Sequence, residues 1–175
     1  MVFRFTIISD ELDDFVRIIE INSDSTFMEL HNAILNSVNY QHGEMTSFFI
    51  CNDDWEKEEE ITMIEMETSS EFDNYVMDKT LLEELLEDEK QKLLFTFDML
   101  EDRSFFIELT EIIPKKNLKK ALLKHKAGNP PQQNLLSFST PISDKEQVPT
   151  LDDIFNDDEL KMENFENIDD IENLI

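Results

Sequence analysis

Three carboxylates fall within five positions at Asp98, Glu101 and Asp102. Acids this close could hold a hard divalent cation through oxygen ligands, or act as a proton donor and acceptor pair whose pKa values are driven apart. The plainer and preferred reading is a solvated turn, so the three stand only as candidate metal ligands. A second acidic run, Asp53, Asp54, Glu56, Glu58, Glu59 and Glu60, lacks the central glycine that a calcium loop needs for its sharp turn. His31, His42, His125 and Cys51 show no zinc-like spacing. Cys51 runs into Asn52-Asp53-Asp54, whose negative charge opposes the thiolate that a nucleophile requires. With two glycines in the chain, a backbone cradle for phosphate has little to be built from. No catalytic residue and no cofactor is therefore assigned. Trp55, between Asp54 and Glu56, reads either as an exposed anchor for a partner or as a lid folded back on the protein.

The setting of these groups is strongly acidic. In 175 residues, 41 acids face 15 bases, a formal charge of −26. That charge opposes close approach to nucleic-acid phosphates and to anionic membranes, so a protein partner is expected. One cysteine allows no internal disulfide, which suits a reducing compartment. The opening Met1–Ile8 is strand-like rather than a leader, and no apolar run reaches membrane length. A cytoplasmic location is the expectation.

The elements that must carry the acids are legible in the apolar periods. Around the turn at 98–102, Leu93–Phe97 and Phe105–Ile112 alternate with a period of two, and both faces of each arm carry apolar residues. They read as a hairpin in the middle of a sheet. Val2–Ser9 and Phe15–Ile21 form a first hairpin. Thr26, with Glu29 at capping-box spacing, opens a helix to about Val38 whose buried stripe is Phe27, Leu30, Ile34 and Leu35. Met45–Cys51 and Ile61–Met66 read as further strands, Glu67–Asn74 as a loop, and Thr80–Leu86 as a short helix. The expectation is an α+β fold, a curled, mostly antiparallel sheet of about six strands around one main helix, β-grasp-like.

Past Pro114 the character changes. Lys115, Lys116, Lys119, Lys120, Lys124 and Lys126 are grouped without an acid among them, and with Leu118, Ala121, Leu122 and Leu123 they suggest a short basic amphipathic helix. The acidic tail is the expected counter-charge for this group. Gly128 and Pro130-Pro131 open an irregular stretch. The chain is thus divided into a domain at 1–126, a linker at 127–150 and an acidic, short-helical amphipathic tail at 151–175. In the tail, Phe155 and Phe165 are candidate partner-binding residues alongside Trp55.

The chain resembles the plasmid pRiA4b ORF-3-like family. The resemblance is carried over about residues 1–113 by Phe3-x-Phe5-x-Ile7, Arg17-x-Ile19, Thr26-Phe27-x-x-Leu30-His31-x-x-Ile34, Phe48, and Phe97-Asp98-x-x-Glu101-Asp102 leading into Ile107-x-Leu109. The run Met45 to Glu56 makes it similar to an acidic variant found among Bacteroidetes-type bacteria. At the strand turn the family has glycine, tryptophan and histidine where this chain has Leu100, Arg103 and Phe105. The resemblance implies a fold and no settled activity. The reading that follows is a non-enzymatic interaction or adaptor module. The alternatives are an acid-lined metal-binding or hydrolytic enzyme using Asp98, Glu101 and Asp102, and an accessory protein of a mobile element.

Overall fold

The computed structural model describes residues 1–65 and 75–134, which belong to a compact unit spanning Met1–Leu136. The fold is α+β, with a mostly antiparallel, open sheet and few helices. In chain order the elements are β1 (Val2–Ser9), β2 (Val16–Asn22), α1 (Phe27–Val38), β3 (Ser47–Cys51), β4 (Lys57–Thr62), β5 (Tyr75–Val76), α2 (Leu82–Leu85), β6 (Lys92–Asp98), β7 (Arg103–Ile113) and β8 (Leu122–Ala127). The strands lie side by side as β5-β4-β3-β6-β7-β1-β2-β8. Only the β4/β5 pair is parallel. The hairpin β6–β7 is central, as its two-sided apolar pattern requires.

Alternation sets the two faces. Phe3, Phe5, Ile7, Ile19, Ile21, Phe48, Leu93, Phe95, Phe105, Ile107 and Leu109 point to one side and are fully or almost fully buried there with Phe27, Leu30, Ile34 and Leu35 of α1. At roughly 1.5–3 kcal/mol per buried large apolar side chain, this face is the main source of stability. The rings are interleaved: Phe97 on Phe105 at 4.6 Å, Phe48 on Phe95 at 4.8 Å, Phe15 stacked on Phe105 at 5.0 Å.

α1 starts where its cap predicts. The Thr26 hydroxyl accepts the Glu29 N–H, and the Glu29 carboxylate accepts the Thr26 N–H. The next orphan donors, Phe27 and Met28 N–H, reach the carbonyls of Thr80 and Met77 at 3.1 and 2.8 Å, so the segment before α2 completes the helix start. Asn39, in the left-handed region, closes the other end.

Three expectations are corrected. The sheet has eight strands among the described residues instead of about six. The fourth strand lies at Lys57–Thr62, within the acidic run, because the turn at 52–56 sets its register against β3. The basic stretch is no helix where it is ordered into an element: Leu122–Ala127 is β8, paired antiparallel to β2. A helix of a dozen residues is marginal on its own, whereas the edge of β2 offers a full row of backbone partners. Residues 128–134 continue against the domain, with Pro131 buried and its carbonyl accepting the Tyr40 hydroxyl at 2.6 Å. No helix among the described residues is long and apolar enough to cross a membrane. The expected loop at 67–74, the rest of the linker and the tail with Phe155 and Phe165 lie outside the described residues.

Candidate functional site

The turn between β6 and β7 is built by Asp98, whose carboxylate accepts the N–H groups of Leu100 and Glu101 at 3.2 Å each. Its second oxygen lies 3.4 Å from Arg103 Nη1. Asp102, in the left-handed region at φ 51°, turns instead to Lys57, with Nζ at 2.9 Å. Glu101 is exposed. The three candidate ligands therefore point to different partners and do not converge. Among the described residues no three of His, Cys, Asp and Glu gather in a way that could hold a metal ion.

Arg103 organises this end of the sheet. Its guanidinium grips Glu11 with both prongs, at 2.9 and 2.8 Å, and donates to the carbonyls of Gln132 and Gln133. It also lies over the Phe97 ring, 5.0 Å from the centroid. The fork geometry makes this a stronger contact than the exposed Lys57–Asp102 pair. Together they rim a cleft of about 490 Å³ on the side of the sheet away from α1, with Leu94, Ser104 and Phe106 as its floor. Ser104 shares a 2.8 Å hydrogen bond with Thr96.

An aromatic strip continues from the cleft. Asn52 shapes the β3–β4 connection: its side-chain oxygen accepts the N–H groups of Asp54 and Glu56, and its backbone carbonyl accepts that of Trp55. This holds Trp55 at φ 65°, a conformation that costs an ordinary residue about 1–2 kcal/mol. The indole consequently folds back onto the sheet, edge-on to Phe106 with ring centroids 5.0 Å apart, and stays partly exposed. Lys92 Nζ sits 5.1 Å from the indole and donates to the Asp53 carbonyl; Lys57 Nζ sits 4.3 Å from the Phe49 ring. Trp55 and Phe49 thus each carry a lysine ammonium, and Trp55 also packs on Phe106.

An ionic cluster lies on β1 and β2. Glu20 is fully buried, and burial pushes its carboxyl up; hydrogen bonds from Lys116 and Arg4, each as short as 2.6 Å, outweigh that and hold it below the usual range. Lys116 is thus countered within the domain. Cys51 is buried and burial raises its pKa, so it carries no thiolate of use. His31 is also buried, inside the stripe rather than at its edge, beside Phe95 and His42.

Arg103, Asn52, Phe49 and Phe106 were not singled out in the sequence as site residues. Arg103 carried one signal, as the sole cation beside an acidic turn. Asn52 carried another, standing two positions before Asp54 where a side-chain turn would form. The pairing of Phe106 with Trp55 has none, because the two meet only across folded strands.

No functionally curated protein matches the chain. A solved structure, the protein of unknown function MM3350 from Methanosarcina mazei Go1, is similar in fold at a TM-score of 0.57, covering 71% of this chain and 68% of its own at 17% identity. The profile of the plasmid pRiA4b ORF-3-like proteins matches residues 2–135, which include the cleft, the Trp55 loop and β8, and the chain belongs to that family.

Proposed function

We propose that this protein is a non-enzymatic interaction module of the cytoplasm, whose contact surface is the aromatic strip of Phe49, Trp55 and Phe106 together with the adjoining cleft. The observation that carries this reading is the backbone of Trp55: a strained conformation is held by Asn52 to keep a large, partly exposed ring on the face of the sheet away from α1. Tryptophan at the centre of a partly apolar, charge-rimmed patch suits protein contact better than any reaction. The side chains that chemistry would need are engaged elsewhere, Asp98 with Arg103, Asp102 with Lys57, and Ser104 with Thr96. The partner is a protein; the charge of −26 disfavours nucleic acid and anionic membrane. Domain 1–126, linker 127–150 and an interacting tail with Phe155 and Phe165 remain part of the reading, as does a β-grasp-like wrap of the sheet on α1.

Photo-crosslinking tests it. With Phe49→p-benzoylphenylalanine in the native host, one discrete adduct is expected, and Trp55→Ala in the same chain removes it. The same probe at Glu84, an exposed position on α2, gives none. Equal labelling from Glu84, or no adduct from position 49, overturns the reading. So does a thermal shift with Mg²⁺, Mn²⁺, Ca²⁺ or Zn²⁺, since a cation at a hundred times its Kd adds about 2.7 kcal/mol to the folded state.

A further inference from the structure

β8 ends the sheet on the side away from the Trp55 strip, with β2 as its one neighbour in the strand order. Among the described residues its outer edge therefore presents a row of main-chain donors and acceptors. Long free edges are a hazard, and lysines on them turn away strands that bring no counter-charge. Here Lys124 and Lys126 lie on the strand, and Lys119 and Lys120 just before it. No acid occurs from Ile112 to Ser143, in a chain with 41 of them. Lys119, Lys120 and Lys126 form no ion pair with another described residue.

The edge is also apolar. Leu122 and Leu123 are 38% and 45% exposed. Opposite residues on paired strands share a face, so Leu123, across from Ile19, stands on the helix side. There a groove of about 430 Å³ opens between β8 and the outer face of α1, with Ile19, Ile21, Ala33, Ala121 and Leu123 in its lining and Lys119 and Lys120 at its border.

We propose that β8 accepts an extended acidic segment of a partner protein as a ninth strand, its apolar residues at every second position entering the groove and its carboxylates meeting the lysines. Main-chain pairing supplies affinity and the groove and charges supply selection, as in other strand-addition complexes. A second copy of β8 fits badly, because antiparallel self-pairing sets lysine against lysine. Nucleic acid fits badly too: it cannot pair with a strand edge, and its dense phosphates meet the repulsion of the acidic body at longer range.

The test uses the full chain, labelled with ¹⁵N, and a decapeptide of alternating glutamate and valine. Saturable shifts of the 122–127 amides are expected. Binding weakens at least about tenfold in Lys124→Glu/Lys126→Glu, and likewise near 0.5 M salt, where screening shortens to a few ångströms. Lys119→Gln/Lys120→Gln, off the strand, weakens it in the same direction and guards against a double variant that fails to fold. Silence of the β8 amides at about millimolar peptide, a Kd near 1 mM being only about 4 kcal/mol of binding, overturns the proposal, and silence with the 122–127 amides already protected from exchange assigns the lysines to the chain's own acidic tail instead. Equal shifts from a control decapeptide of alternating lysine and valine, or from an oligothymidine, overturn it as well. Trp55→Ala binds this peptide like the wild type, so failure here and failure of the Trp55 surface are separate results.

Discussion

Among the described residues Arg17 is the largest side chain withdrawn completely from solvent, and its hydrogen-bond partners there include no carboxylate. Its guanidinium donates to the carbonyls of Val16 at 2.8 Å, Ser37 at 3.2 Å and Gly128 at 3.1 Å, and to that of Ala127, and it lies 4.5 Å over the Phe15 ring. Burial lowers its pKa, yet a guanidinium stays charged at any ordinary pH. Ser37 belongs to the last turn of α1, whose carbonyl end favours a cation. One side chain thus ties β2, the end of α1 and the end of β8. Arg17→Ala leaves those carbonyls without this donor, at about 1–3 kcal/mol for each buried group left unsatisfied, and is expected to cost at least about 3 kcal/mol in urea unfolding. Arg17→Lys does not restore it, because a point ammonium cannot span the same fork. A loss below about 1 kcal/mol would refute this account.

His31 supplies the pH dependence at the same scale. Burial lowers its pKa beneath the ordinary 6.5, with Asn32 opposing and the neighbouring His42 adding to the effect. Its Nε2 has no hydrogen-bond partner among the described residues. Above about pH 6.5 both folded and unfolded chains hold neutral imidazole, and stability is full. As pH falls through that value the unfolded chain takes up a proton that the folded one refuses, so stability is lost. Between about pH 7.5 and 5.5, where carboxylates stay ionised, the urea midpoint of the wild type falls further than that of His31→Leu. Parallel curves for the two proteins would contradict the assignment.

At the scale of elements, β8 is held by features far from it in sequence. Gly128, at its end, has φ +64° and lies so close to the Asp13–Phe15 turn that a Cβ would sit 2.4 Å from the Asp14 carbonyl oxygen. Gly128→Ala therefore meets both a disfavoured backbone and a clash with main chain. The expected cost is at least about 2 kcal/mol, and amide exchange at 122–127 accelerates more than in β6 and β7. Uniform acceleration across the sheet would mean that β8 does not open separately. The contrast with α1 is instructive. The helix was legible from Thr26, Glu29 and a 3.6-residue stripe, all local. β8 was misread because Leu122-Leu123 among lysines suits a short amphipathic helix equally well, and the free edge of β2 that decides the matter is about a hundred residues away in sequence.

For the molecule as a whole, charge and sheet order dominate. A chain of −26 repels itself when compact, and only part of that is relieved by pairs such as Arg103–Glu11 and Arg4–Glu20. Raising KCl from about 10 to 300 mM should therefore raise Tm by about 2–6 °C in calorimetry. A fall would mean that the ion pairs outweigh the repulsion.

What the residues determined alone is what depends on neighbours along the chain: the first hairpin, α1 and its cap, the central β6–β7 pair, and the acidic character that disfavours polyanions. What only the tertiary structure decided is which groups meet across strands. Asp98 and Asp102 are close in sequence but separate in space, because each finds a cation on a different strand. Trp55 and Phe106 are distant in sequence and touch, because strand order and the left-handed turn at Trp55 aim one ring at the other. Local periodicity specifies a face and a phase; partners across a sheet are specified by register and strand order, which no local window contains.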